Sequence, residues 1–129
     1  MIKIVFCLRR KAELTPDAFQ DYWLGHHAGL VKERARALGI RRYVQSHTIW
    51  DQRLGGLAKQ RGFAGEPFDG VAELWFDAVE SLYPNDKAPD WSIKAAMELL
   101  DDEGRFIDLP NSPIFVAREH VVIPLVGTD

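Results

Sequence analysis

One order of elements, strand, helix, strand, occurs twice along this chain, and that repetition constrains the fold more than any single motif. The first half opens with Ile2-Lys3-Ile4-Val5-Phe6-Cys7-Leu8. Its alternate positions Ile2, Ile4, Phe6 and Leu8 are all apolar, the period-two pattern of a strand with a buried face. Thr15 then offers a hydroxyl N-cap, Pro16 suits the first helical position and Asp17 complements the positive helix end. Phe19, Tyr22, Trp23, Leu30, Val31 and Leu38 recur at three- and four-residue spacing, and Gly39 supplies a left-handed stop. A helix from about Pro16 to Leu38 is expected. Arg42 to Ile49 returns to strand character, with Tyr43, Gln45 and His47 on one side and Val44, Ser46 and Thr48 on the other.

The second half repeats the order. Asp69-Gly70 suits a turn before the strand Val71-Ala72-Glu73-Leu74-Trp75-Phe76. A helical region interrupted around Pro84 to Pro89 follows, with Trp91, Ala95, Ala96, Leu99 and Leu100 as an amphipathic stripe that ends near Gly104. Ile114 to Ile123, bounded by Pro113 and Pro124, reads as the fourth strand. Between the halves, Asp51 to Pro67 holds four glycines and no sustained periodicity, an exposed excursion with one short helical turn near Leu57. This is the ferredoxin-like β-α-β-β-α-β order, an α+β fold with a four-stranded antiparallel sheet. Two helices cover only one sheet face, yet strand three is apolar on both sides, with Leu74 and Phe76 opposite Val71 and Trp75. A second copy packed sheet to sheet is the expected cover.

Composition narrows the function. A chain of 129 residues, 47% hydrophobic, suits one domain with one core, expected over 1–129. A net charge of −3 argues against a nucleic-acid-binding protein, whose affinity rests on clustered Lys and Arg. The lone Cys7 can form no disulfide within the chain. No stretch approaches the ~20 apolar residues of a membrane span, and Arg9-Arg10-Lys11 follow the first apolar run instead of preceding it as in a signal peptide. A cytoplasmic protein is expected.

His26 and His27 lead the candidates for chemistry, because an imidazole near neutrality can act as acid or base. A rotation of 100° per residue places them on opposite flanks of the apolar stripe, so periodicity does not choose between them. Adjacent histidines diverge on a helix and lack the i, i+4 geometry of a zinc pair, so no metal is expected. Tyr43, Gln45 and His47 form a polar stripe able to orient a carbonyl or phenol. Four tryptophans offer walls for a flat organic ligand, with Trp23 and Trp75, beside Gln45, as the substrate-binding candidates. Glu119 and His120 suit an edge or interface salt bridge equally well. Phosphate loops, nucleophile elbows, Cys-pair metal motifs and dinucleotide fingerprints are absent, so no cofactor is expected.

Several of these segments together resemble the EthD-domain family, within the wider dimeric α+β barrel superfamily. They are Phe19, Tyr22-Trp23 with His27-Ala28 and Leu30, the run from Gly39 to His47, the run from Phe68 to Phe76, and the closing Glu119-His120-Val121-Val122-Ile123. The resemblance implies a ferredoxin-like homodimer, and it favours His27 over His26. It also implies an activity range: cofactor-free enzymes that isomerise lactones or dehydrate and decarboxylate aromatic polyketides, and accessory proteins of oxygenase systems. The leading expectation is thus a cofactor-independent isomerase or lyase on a small aromatic or lactone-like compound. His27 would be its acid/base, and Tyr43 or His47 would orient an oxygen. A non-catalytic ligand-binding or accessory protein and a cofactor-free monooxygenase are the alternatives. Two departures from the family pattern, Asp51 to Pro67 and Tyr83-Pro84-Asn85-Asp86, are placed to reshape the pocket mouth.

Overall fold

The computed structural model describes residues 1–82 and 88–127. Strand β1 is Ile2–Leu8, followed by a helical run of three parts: α1 (Pro16–Tyr22), a π-helical turn (Trp23–His27) and α2 (Ala28–Leu38). Strand β2 (Arg42–His47), a 3-10 turn (Gln52–Leu54) and the short α3 (Gly56–Lys59) lead to β3 (Gly70–Phe76). After a 3-10 turn at Val79–Leu82, α4 (Asp90–Phe106), a last 3-10 turn (Leu109–Asn111) and β4 (Ile114–Ala117) complete the order. The expected break around Tyr83 to Asp86 lies outside the described residues.

Local signals account for the helix ends. Thr15 Oγ1 accepts the Ala18 N–H at 3.1 Å and Pro16 starts the helix. At the far end Gly39 takes φ 73°, which lets the Ile40 N–H reach the Ala35 carbonyl at 2.9 Å. Within the run, the Ala28 N–H reaches back five residues to the Trp23 carbonyl. Such a π turn inserts one extra residue and changes the phase of every side chain around it.

The sheet order is β2-β3-β1-β4, antiparallel throughout. Phe6, Leu8 and Ala72 face the helices and form the core with Phe19, Trp23, Phe106 and Ile107, flanked by Ile4, Tyr43 and Leu74. Burial of these rings supplies the main driving force, at roughly 25 cal/mol per Å² of apolar surface. The opposite face carries Val5, Cys7, Val44, Val71 and Phe115. Towards one end lies Trp75, with the Lys3 ammonium 5.0 Å and the Arg42 guanidinium 4.8 Å from its ring. Lys3 also pairs with Glu73, and with Glu119 at 3.2 Å.

Three expectations are corrected. β4 ends at Ala117, not Ile123, because the antiparallel register pairs Ala117 with Lys3, next to the Ile2 end of β1. A β-branched run with no strand left to pair with does not stay in a sheet, and Val122 is 89% exposed. β2 stops at His47 for the same reason, opposite Gly70 at the start of β3. In α4 the buried stripe is Ala95, Leu99, Asp102 and Phe106, while Trp91 is 60% and Leu100 59% exposed.

Gly70 marks the tightest approach between sheet and helix. A Cβ there would lie 2.4 Å from Trp23 Cζ3 and 2.7 Å from the Ser46 carbonyl oxygen. The second obstacle is backbone within the sheet, so the strand cannot relax cheaply. Gly70→Ala is expected to destabilise the fold by about 1–3 kcal/mol, read as a lowered thermal midpoint.

Candidate acid–base site

The π turn presents His27 inward from its last position, 5% exposed, while His26 points to the rim. His27 Nδ1 lies 2.7 Å from Asp102 Oδ2 of α4. Because an ionised carboxylate only accepts, Nδ1 carries the proton and donates it, which leaves Nε2 with its lone pair. Tyr22 donates its hydroxyl to the other oxygen of Asp102 at 2.6 Å, and His26 Nε2 stands 3.4 Å from that same oxygen. Burial holds the His27 imidazole below its ordinary value of 6.5, against the opposing pull of Asp102. Burial would raise the Asp102 carboxyl, but the hydrogen bonds of Tyr22 and His27 and the charges of the two histidines outweigh it and hold Asp102 below 3.8.

His27 borders a cavity of about 40 Å³ between helices and sheet, walled by Phe6, Leu8, Leu74, Val31 and Leu99 and by the Trp23 indole. Tyr43 and Glu103 are the other polar residues of its lining. The space admits about one water molecule, far below the roughly 300 Å³ of a small-molecule site, so a larger occupant requires side chains to move apart.

The polar stripe of β2 forms a relay behind this cavity. His47 Nε2 lies 2.8 Å from Gln45 Oε1, and an amide oxygen only accepts, so His47 donates. The Gln45 amide nitrogen donates to Tyr43 Oη at 2.8 Å and to the Trp23 carbonyl at 3.0 Å. With its oxygen accepting from Gln45, Tyr43 has its own O–H free to donate elsewhere. Burial raises the Tyr43 pKa above 10.0 and keeps the phenol protonated. The His47 ring stacks on Trp23 with centroids 4.3 Å apart.

The candidate residues therefore separate. His27, Tyr43 and Trp23 meet at one cavity, whereas Gln45 and His47 stand behind it, in contact with Tyr43 and Trp23. His47 does not reach the cavity itself, because Trp23 lies across it. Trp75 belongs to the opposite sheet face: odd positions of β3 point away from the helices, so it cannot share an enclosed site with His27. None of residues 51–67 lines the cavity either. Glu119 pairs with Lys3 at the far end of the sheet.

Asp102 and Glu103 are not among the residues that the sequence singles out. A signal for Asp102 existed: Leu99, Asp102 and Phe106 follow three- and four-residue spacing, and the acidic run Asp101-Asp102-Glu103 sits near a helix C-terminus, where negative charge is unfavourable. Among the described residues no group of three or more His, Cys, Asp or Glu side chains has metal-holding geometry, and no helix is long and apolar enough to cross a membrane.

Comparison with known proteins agrees with this architecture. The chain is similar to an EthD (ethyl tert-butyl ether D) family protein from Bacillus halodurans C-125, at 18% identity and a TM-score of 0.58, over 93% of this chain and 99% of the other. It is similar to HapK from Hahella chejuensis, at 11% identity and a TM-score of 0.60, over 98% and 100%. A Bacteroides fragilis NCTC 9343 protein described as dimeric, of unknown function and ferredoxin-like fold matches at 8% identity and a TM-score of 0.54, over 92% and 95%. At these identities the likeness is one of fold. Curated protein sequences gave no match. The EthD domain model matches residues 11–110, most of the chain, and the protein thus belongs to the EthD domain family.

Proposed function

We propose that this protein is a cofactor-independent isomerase or lyase of small-molecule catabolism or secondary metabolism, acting on an aromatic or lactone-like compound. One observation carries the reading: a buried histidine, held by a carboxylate in a single tautomer, lines an apolar cavity together with a phenol. In that arrangement His27 Nε2 takes a proton from a C–H beside a carbonyl. The Tyr43 hydroxyl hydrogen-bonds the oxygen on which charge develops. Return of the proton to another carbon isomerises the substrate, and its delivery to a leaving group completes an elimination. Asp102 sets the tautomer and stabilises the imidazolium, and Trp23 supplies an aromatic wall. The whole chain acts as one EthD-like domain, paired as a cytoplasmic homodimer through the face bearing Val5, Val44, Val71 and Phe115.

A second reading, ligand binding or an accessory role without catalysis, is favoured by the cavity of about 40 Å³, which must open before any aromatic ring enters. The two are separated by incubating the protein with phenols, aromatic polyketides and unsaturated lactones while recording product formation, oxygen uptake and thermal midpoint. Product formed without oxygen uptake supports the isomerase or lyase. A raised midpoint with no product overturns it in favour of binding, and oxygen uptake without added cofactor overturns it in favour of a monooxygenase.

A further inference from the structure

Glu103 is the one group at this cavity to which the reading above gives no task. It follows Asp102 on α4, but Asp102 stands behind His27 whereas Glu103 belongs to the lining itself, together with His27 and Tyr43. The remaining walls, from β1, β3 and α2, are apolar. Burial, reinforced by the charge of Asp102, pushes the Glu103 carboxyl up to about 7, and its charge in turn raises Tyr43. The titratable groups that share the cavity with it are His27 from the π turn and Tyr43 from β2, and the Asp102 charge on its own helix also acts on it. The lining contains no Lys or Arg among the described residues, so a substrate carboxylate would meet acidic groups and no cation.

We propose that Glu103 is a second catalytic residue of this site, a carboxylic acid that protonates the substrate oxygen while His27 takes the carbon-bound proton, and that the substrate is an uncharged enolisable carbonyl compound or lactone. The inference rests on the acid–base reading above. The step balances without an oxidant. As Nε2 removes the proton, the C–H electron pair forms a carbon–carbon double bond, the carbonyl π pair moves to oxygen, and oxygen takes the Glu103 proton. Glu103 then recovers that proton as the carbonyl re-forms, and the imidazolium returns its own to carbon, at the original position or at the end of a conjugated system. Tyr43 keeps its proton and positions the oxygen.

The test is hydrogen–deuterium exchange at carbon, followed by proton NMR in D₂O, with two neutral probes, β-tetralone and α-angelica lactone, and one anionic probe, levulinate. The wild type is expected to accelerate exchange of the neutral probes only. Glu103→Gln and His27→Gln are each expected to slow it by about a hundredfold. The wild-type rate should fall as pH rises through about 7, where Glu103 loses its proton, and this limb should be missing in Glu103→Gln. A rate and pH profile unchanged in Glu103→Gln, with exchange lost in His27→Gln, would overturn the role of Glu103 and leave the acid–base reading standing. Levulinate exchanged as fast as the neutral probes overturns the substrate class. No exchange of any probe by the wild type overturns both the proposal and the reading on which it rests.

Discussion

Replacement of Asp102 by alanine is expected to lower stability by about 3–5 kcal/mol, a fall of roughly 10 °C or more in the thermal midpoint for a domain of this size. The reason lies in what the carboxylate holds. Tyr22 and His27 both donate to it, at 2.6 and 2.7 Å, and the truncated side chain leaves both donors facing a void in a region 3% exposed at Asp102. An unpaired buried donor costs about 1–3 kcal/mol, and two are created together. Denaturant unfolding at pH 7 checks the magnitude; a loss below about 1 kcal/mol would show that water replaces the carboxylate without penalty.

The pH dependence carries a definite sign. Asp102 has a folded value below its ordinary 3.8, so its stabilisation is whole above that value and is lost as pH falls through the folded one. His27 is also held below its ordinary 6.5, so the unfolded chain binds its proton first and stability declines as pH drops below 6.5. Both act in the same direction, and acid is expected to weaken the wild type. Asp102→Ala should lose the lower of the two transitions, visible in thermal midpoints recorded from pH 3 to pH 8.

His27→Gln is expected to reduce turnover by about a hundredfold or more while the fold persists. Glutamine matches the imidazole in approximate length and its amide can still donate to Asp102, so the buried carboxylate keeps a partner. What it lacks is a basic nitrogen. Steady-state kinetics on a turned-over substrate, beside a far-ultraviolet circular dichroism spectrum, separate lost chemistry from lost structure. Turnover within a few fold of wild type would remove His27 from the mechanism.

The fold was largely legible along the chain because its signals are local. Thr15-Pro16 and Gly39 mark both ends of the first helical run, and the alternation of Ile4, Phe6 and Leu8 identifies β1 before any partner strand is known. The failures came where an element depends on its neighbour. The apolar run beyond Ala117 has full strand character but pairs with no strand among the described residues. Trp91 and Leu100 are apolar, but the rotation of α4 is decided by what lies beneath it.

The site was legible in part. The polar stripe of β2 places Tyr43, Gln45 and His47 on one face, as period two requires, but that period does not say that Trp23 would lie between His47 and the cavity. The tie between His26 and His27 followed from assuming an even 100° rotation, which the π turn at Trp23–His27 breaks. Trp75 was grouped with Trp23 by residue type, although strand parity turns Trp75 to the sheet face away from the helical run that carries Trp23.

The sequence alone determined the β-α-β repeat, the limits of the first helical run, the resemblance to EthD proteins and the presence of a histidine suited to proton transfer. The tertiary structure decided what that histidine can do. Its partner Asp102 lies 75 positions away, on a helix whose stripe looks purely apolar until packing turns one carboxylate inward. The burial that holds His27 below its ordinary range and brings Glu103 up to about 7 arises only when α4 closes over the sheet. Desolvation and long-range pairing belong to the packed state, and local periodicity carries no record of them.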